Sequence, residues 1–491
     1  MNSRSHCVQI GMDGHSFHHG RAGARVTVPR MVCDEIAAMT EAESCLPCAQ
    51  NAVNAGEMEW VSGVSGCRVA GALSSLVSLS YGVRESLSLP HEELVMTDAL
   101  PAPAPLPTAR SSPLDPPPGL GRLRAAHPVS RLAHPDGTTG WLVTGHALVR
   151  QVLADPVFSS RSELLHSPMR KDAPSPAPPG VFIGMDEPEH SRYRKLLTGQ
   201  FTVRRTRRLA GRIEEIVRDA LDATEAEGPP ADLVRTFALP VPSLVICELL
   251  GVPYASHEDF QRWTHTMISA ESSPEESTAA EAALTAFLAD IVAAKRAEPT
   301  DDVLSGVIAA GGLTDEEALG IAQLLLVAGH ETTSGMLSLG TLALLSHPEQ
   351  LALLRDNPAL VDGAVEELLR YLGIAQFDVG VRAATEDVML GGRLIRAGES
   401  VSLSFAAANR DPAVFEDPDT LDITRPPGGH VAFGHGAHAC LGQQLARVEL
   451  RIAFPALLRR FPGLRLAVPV AEVPVRHDMP IYGAYRLPVT W

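Results

Sequence analysis

The segment Thr314–Ser346 constrains this chain more than any other. Thr314-Asp-Glu-Glu317 has the spacing of a capping box, in which the Thr and Glu side chains each satisfy a free backbone N–H at a helix start. A helix running from there to about Ser346 spans roughly 48 Å at ~1.5 Å per residue, enough to cross an entire domain. A helix of that length is buried, yet His330-Glu331-Thr332-Thr333 stands at its middle. The ordinary reading of such a tetrad is a polar patch facing solvent, but apolar runs flank it on both sides. Thr332 can hydrogen-bond back to a carbonyl and open a local kink where Gly329 already weakens the helix. A zinc-protease site is excluded, because Ser334 stands where His-Glu-x-x-His requires its second histidine.

Near the other end, Phe433 to Gly442 reads Phe-Gly-His-Gly-Ala-His-Ala-Cys-Leu-Gly. Cys440 runs directly into a helical stretch, expected from Leu441 to Phe454. Gly434, Gly436 and Gly442 leave room for a flat object against the backbone. A thiolate at a helix N-terminus is favoured by the dipole and by free N–H donors. Those are the requirements of a thiolate bound to haem iron. An isolated cysteine is ordinarily a small buried hydrophobe, and the choice between the two readings rests on what accompanies it.

The ten-residue segment resembles the Phe-x-x-Gly-x-x-x-Cys-x-Gly haem-binding loop of the cytochrome P450 family. Ala328-Gly-His-Glu-Thr-Thr333 is similar to the oxygen-binding kink of that family's central helix, and Glu367-Leu-Leu-Arg370 to its Glu-x-x-Arg pair. The last alone is generic, since exposed helices readily yield i, i+3 ion pairs. All three stand in the family's order, and the resemblance runs from about Met96 to Trp491. It implies a mainly α-helical fold with small β-sheets (α+β), with haem b buried between the central helix and the cysteine loop. It also implies Cys440 as the iron ligand, with Phe433, Gly434 and Gly442 in its loop and Ala328 and Gly329 against the haem. Glu331 and Thr332 resemble the acid–alcohol pair that brings protons to bound oxygen. Heterolysis of an O–O bond needs such delivery while bulk water is kept out. Haem propionates need cationic or hydrogen-bonding partners. His190 and Arg194 resemble the first such pair, Arg382 and His438 the second. Glu367 and Arg370, with Arg425, are expected to form a structural ion-pair network.

Composition agrees with an ordinary soluble globular chain rather than a disordered one. Its 491 residues are 45% hydrophobic and 20% charged, and the formal charge of −17 excludes a general nucleic-acid footprint. Five of seven cysteines lie in the first sixty-seven residues, leaving Cys247 and Cys440 in the body, as suits a reducing cytoplasm. No transmembrane span is expected. The most apolar candidate, Ala318 to Leu345, is broken by its polar cluster, and Val69 to Val83 lacks a charged region before it. Residues 1–95 show little sustained period, and translation is expected to begin at Met96, leaving 396 residues of catalytic domain. Cys45-Leu-Pro-Cys48 lacks the second pair that a zinc site of that type needs.

Between these landmarks, Leu100 to Gly119 holds eight prolines and reads as an extended strap. Pro135-Asp-Gly between two apolar runs is a hairpin signal, and Thr144 is placed to cap a helix over His146 to Ala154. Ser160 to Gly184 reads as a long loop, and Val388 to Ile395 as a glycine-turned hairpin. His190 to Arg212 carries Arg192, Arg194, Lys195, Arg204, Arg205, Arg207, Arg208 and Arg212 with no acid. A solvated face is the ordinary reading of clustered charge; the other is a docking site for an acidic redox partner. No flavin or nicotinamide fingerprint is present, so the resemblance implies electrons from a ferredoxin and an NAD(P)H ferredoxin reductase. It implies a monomer acting with O2 on a lipophilic small molecule such as a macrolide, polyketide, terpenoid or steroid-like compound. Leu324, Leu325, Ala328, Ile374 to Phe377 and Ile481 to Ala484 would line its pocket. Asn409-Arg-Asp-Pro412 and Leu487-Pro-Val-Thr-Trp491 are similar to the soluble actinomycete branch. A peroxide-driven peroxygenase and a haem sensor are the competing readings; family peroxygenases lack the Glu331–Thr332 pair, and a sensor needs a signalling domain.

Overall fold

The computed structural model describes residues 101–491 except 172 and 270, together with three short strands near the N-terminus. Two compact units divide the chain, Met1–Met96 and Thr97–Trp491. In the first, β1 (Ile10–Gly11), β2 (Ser16–His18) and β3 (Arg25–Thr27) form an antiparallel sheet in that order. The Cys45–Cys48 pair, Val69 to Val83 and Met96 lie outside the described residues.

In the second unit the proline-rich strap gives way at Pro118 to α1 (Pro118–Ala126), slightly earlier than expected. The hairpin forms as β4 (Val129–Ala133) and β5 (Thr139–Val143), paired from Val129↔Val143 to Ala133↔Thr139. Next comes α2 (His146–Ala154), with the expected bounds but a different cap. The Thr144 hydroxyl is turned to the Pro128 carbonyl, and the His146 N–H donates to the Asp411 carboxylate at 2.9 Å. A local hydroxyl was the closer candidate in sequence; a carboxylate brought in by the tertiary fold occupies its place.

Helices dominate from here. They are α3 (Glu189–Thr198), α4 (Val203–Glu227), α5 (Pro240–Leu250), α6 (His257–Ile268), α7 (Pro274–Ala297) and α8 (Val303–Ala309). The central helix α9 (Asp315–Ser346) is followed by α10 (Pro348–Asp356), α11 (Val361–Leu372) and the short α12 (Phe405–Ala408). The last helix, α13 (Gln443–Arg460), starts two residues later than expected and continues through Pro455. Small sheets flank the helices. β6 (Phe158–Ser159), β8 (Arg382–Ala384) and β11 (Ser400–Leu403) join the first hairpin in the order β4-β5-β11-β8-β6, with β5 and β11 parallel. β9 (Val388–Leu390) and β10 (Arg393–Ile395) make the glycine-turned hairpin, and β7 (Ala231–Asp232) pairs with the C-terminal β13 (Pro488–Thr490), itself paired with β12 (Arg465–Leu466). The expectation of a mainly α fold with small sheets holds.

The capping box of α9 forms as read: Glu317 N–H donates to Thr314 Oγ1 at 3.1 Å, and Thr314 N–H to Glu317 Oε2 at 2.8 Å. Beyond its first turn α9 is wrapped by α5, α7, α11 and α13. Glycines let neighbouring helices come close: a Cβ at Gly340 would lie 2.5 Å from the Phe454 ring of α13, and one at Gly329 would lie 2.6 Å from Ile246 of α5. By length and composition one described helix could cross a bilayer. It is α7, not the central helix, and it packs against α6 and α9.

The Glu-x-x-Arg pair fixes the route of the chain into the cysteine loop. Arg370 holds Glu367 through two bonds of 2.7 Å, and both side chains are buried. The same guanidinium donates to the carbonyls of Asn409, Pro418 and Thr420 at 2.7–3.1 Å. Arg425 joins Glu367 at 3.3 Å, the third member expected. Asn409 Oδ1 in turn accepts the Val431 N–H at 2.8 Å, two residues before Phe433. Removing one partner from a buried pair of this kind costs ~3–5 kcal/mol, because the other charge is left uncompensated.

Candidate active site

The cysteine loop is tied into a tight coil by its own backbone. Cys440 N–H donates to the Phe433 carbonyl at 2.8 Å, Gly434 N–H to Val431 at 2.9 Å, and Ala439 N–H to Gly436 at 3.1 Å. Gly434 and Gly436 have φ of 71° and 73°, the left-handed region that favours glycine. At Gly436 a side chain is also barred by space, since a Cβ would come within 2.4 Å of the Leu153 carbonyl. Gly442 differs: a Cβ there would meet nothing within 4 Å, so one face of the loop is open. The N–H groups of Gly442 and Gln443, at the head of α13, point to the Cys440 sulphur and favour its thiolate, as do Arg194 and Arg447. Burial works against them and pushes the thiol up overall. Yet Cys440 has exposed surface. A sulphur ringed by protein but open on one side is facing an interior cleft.

Basic groups crowd the same cleft. The rings of His190 (α3) and His438 (loop) lie 4.0 Å apart. Neither nitrogen of the buried His190 makes a hydrogen bond, and the nearest acid, the exposed Glu187, is 3.6 Å away. Arg194, one helical turn on, donates to the Ala439 carbonyl. Arg382 is buried, and its side chain's hydrogen bond goes to its neighbour Val381. Burial lowers its pKa to about 10 and that of His438 to about 3, the latter helped by the proximity of His190, Arg382 and Arg194. Arg194 and Arg382, beside two imidazoles that burial and these cations hold towards the neutral form, leave positive charge that calls for an anion among them. The expected propionate ligands are thus gathered at one site.

The middle of α9 carries the other expected group. Past the first turn Ala328 is the single exposed residue of this helix, and Thr332, one turn later, is half-buried. The Thr332 hydroxyl donates to the Ala328 carbonyl at 2.9 Å, the back-bond expected, within a helix assigned without a break. Glu331 points elsewhere. It is buried and pairs with Arg476 at 2.5 Å, a residue that sequence reasoning missed because 145 positions separate the two. Burial would raise Glu331's pKa, but Arg476 and then His330 bring it below the usual carboxylate range.

Other residues depart from expectation. Ala375 and Ile481 form a β-bridge, so the two segments read as pocket lining do meet. Tyr482, however, is spent elsewhere: its hydroxyl donates to the Pro113 carbonyl at 2.8 Å, and Arg110 lies 3.7 Å above its ring. The basic run is partly neutralised. Arg192 pairs with Glu317, Arg205 and Arg208 approach Asp301, and Arg212 pairs with Glu215. Lys195, Arg207 and Arg208 are exposed. Arg447 of α13 was also missed: it packs 4.5 Å over the Phe433 ring and binds Glu366 at 2.6 Å, tying the loop to α11. The residues fit haem b: a thiolate loop with an open face, basic side chains without an acid between them, and an exposed alanine in the middle of α9.

The sequence matches the cytochrome P450 family over residues 276–464. Cytochrome P450 105C1 of a Streptomyces species is 53% identical over 397 residues, covering 81% of this chain and all of that protein. Vitamin D3 dihydroxylase of Streptomyces griseolus is 46% identical, covering 79% of this chain and 97% of that protein. Among solved structures, that of CYP105P1 in complex with filipin I is 48% identical with a TM-score of 0.76, covering 79% of this chain and 99% of that one. The fold, the thiolate loop and these likenesses agree: the chain belongs to the cytochrome P450 family, the haem-dependent monooxygenases.

Proposed function

We propose that this monooxygenase takes electrons from a ferredoxin, itself reduced by an NAD(P)H ferredoxin reductase, and hydroxylates or epoxidises a lipophilic natural product or foreign compound. It works as a cytoplasmic monomer on this reading. The observation that carries the site assignment is the open face of the Cys440 loop beneath the His190, Arg194, Arg382 and His438 cluster. Haem b held there supplies O2 activation, with Cys440 giving electron density from the sulphur side. His190, Arg194, Arg382 and His438 receive the two propionates. Phe433, Gly434 and Gly442 form the wall on one face, Ala328 and Gly329 on the other. Thr332 holds a hydroxyl proton at the groove, and Glu331 resupplies it from the buried side. The substrate class is supported by the mostly apolar residues around Ala328 and by relatives whose names specify vitamin D3 and pentalenic acid. Candidate ligands are to be screened by the spin-state shift of the Soret band.

Residues 1–95 stand apart from the catalytic domain on this reading. A relative that matches over its whole length does so within 397 residues of this chain, which supports that division. A chain begun at Met96 then keeps its haem content and melting temperature; a large fall in either overturns the division.

Cys440→Ser removes the red-shifted Soret band of the reduced carbon-monoxide complex, because serine is a far weaker donor than thiolate. A thiolate-type spectrum in that variant overturns the ligand assignment. Thr332→Ala retains haem but diverts reducing equivalents to peroxide. Positioned acid catalysis contributes roughly 10²–10⁴ in rate. Product per electron, measured with a surrogate ferredoxin, checks this, and unchanged coupling rejects Thr332 as the proton donor.

Docking at the basic run is assigned on this reading to a face that includes the exposed Lys195, Arg207 and Arg208. Exchanging Arg207 and Arg208 for glutamine slows reduction by ferredoxin at low salt and flattens its salt dependence, since screening acts over about 10 Å at 0.1 M. Stopped-flow reduction across an ionic-strength series reads this out. Full wild-type salt dependence in the variant places docking elsewhere.

A further inference from the structure

His330 is fully buried in the middle of α9, and its two ring nitrogens have different surroundings. Nδ1 lies 2.7 Å from the Leu326 carbonyl, an acceptor, so it carries the hydrogen of the neutral ring. Nε2 is therefore a lone pair. It has no hydrogen-bond partner, and it faces Glu331 Oε1 at 3.6 Å. Glu331's other oxygen is held by Arg476 at 2.5 Å. Two acceptors thus confront each other in a place without bulk water, an arrangement that is unfavourable until one proton lies between them.

We propose that His330 and Arg476 complete the proton-handling machinery of Glu331: Nε2 and Oε1 form a slot for one proton, and Arg476 keeps that slot exchangeable. This rests on the reading of Glu331 and Thr332 as the proton-delivery pair. Both residues act through Glu331 and are positioning residues. The step is a simple transfer. A proton held on Nε2 moves to Oε1, leaving neutral His330 and protonated Glu331, and Glu331 then releases it towards the oxygen groove. With the slot empty the three groups sum to zero charge; with it filled they sum to one positive charge.

The charges set the balance. Burial holds His330 towards the neutral form, Glu331 favours its protonation, and Arg476 disfavours it. A permanent cation on Oε2 therefore weakens the slot's hold on its proton, so the proton can leave. Groups from every neighbouring element bear on the cluster. His265 of α6 favours the Glu331 carboxylate. Tyr485 lies edge-on to His265 with ring centroids 6.0 Å apart, and its hydroxyl donates to Asp478 at 2.6 Å. Asp478 also accepts from Ser269 at 3.3 Å, with Glu271 and His477 grouped around it. Phe260 closes the His330 ring from a centroid distance of 5.4 Å.

The test uses holoenzyme in the ferrous carbon-monoxide form, labelled with ¹⁵N-histidine. The Nε2 resonance of His330 is assigned by its loss in His330→Asn, whose amide can still donate to Leu326. We expect the Nε2 resonance to titrate on the acid side of an ordinary imidazole, and the transition to move to higher pH in Arg476→Gln. A bare lone-pair shift at every pH, unchanged in Glu331→Gln, overturns the proposal. In parallel, peroxide released per NAD(P)H is followed against pH with surrogate ferredoxin and reductase, without substrate. His330→Asn should deliver protons ~10-fold more slowly, below the ~10²–10⁴ a positioned acid contributes, and release more peroxide. His330→Gln, whose amide can reach the Nε2 position but does not titrate, should give a flat pH profile. If Glu331→Gln and Thr332→Ala match wild type, the proton-delivery reading itself fails. If those two release more peroxide while His330→Asn keeps the wild-type profile, only the slot fails.

Discussion

Uncompensated positive charge inside the protein is the constraint on which the rest of the site depends. Water stabilises ions strongly, and the interior returns little of that unless charges are paired. Arg194 and Arg382 are brought from α3 and β8 to the cysteine loop, where burial and their proximity hold His438 towards the neutral form and leave the two guanidinium charges uncompensated. Among the described residues the acids that bear on this cluster are otherwise engaged: Asp186 accepts from Ser159 and Ser160 at 2.6–2.7 Å, and Glu187 is exposed. An anionic group seated among them converts a liability into binding energy. On the proposed reading haem propionates would meet that need, and ligand binding of this kind adds its free energy to the stability of the folded state.

Thiolate placement follows a related logic, with backbone rather than side chains as the main agent. The loop aims the N–H groups of Gly442 and Gln443 at sulphur, and such donors cost no reorganisation when charge develops. Holding them requires that α13 start at a fixed point, and several contacts determine it. Arg447 bonds Gln443 at 3.0 Å, packs on Phe433 and binds Glu366, while Arg370 secures the chain from Asn409 to Thr420. The Glu-x-x-Arg pair therefore serves the cysteine from a distance.

What was legible in the sequence was local. The capping box, the glycine positions, the hairpin turns and the thiolate loop each express rules acting within a few residues, and each formed. Fold class, and the expectation that His190, Arg194, Arg382 and His438 come together, followed from resemblance rather than from periodicity. The misses involve partners far apart in the chain. Asp411 caps α2 in place of Thr144, Arg476 takes Glu331, and acids from α9 and the 301 region reach back to the basic run. No spacing rule announces such pairs, because they are selected by burial once the helices have packed. Tyr482 makes the same point: its neighbours in sequence line the pocket region, but its own polar end was drawn to Pro113 and Arg110.

The two sides of the site divide the electrostatic labour. On the cysteine side, positive groups and N–H donors collect around a negative sulphur and leave basic side chains in excess. On the α9 side, the buried carboxylate of Glu331 is balanced by a single arginine, so little net charge faces the groove. A proton can cross a region of near-zero net charge at lower cost than one dominated by either sign. Thr332, back-bonded to Ala328, presents its oxygen where the helix surface is open, and the charged residues stay behind it. Long-range partners thus keep Glu331 ionisable while the apolar surface around Ala328 stays suited to a lipophilic substrate.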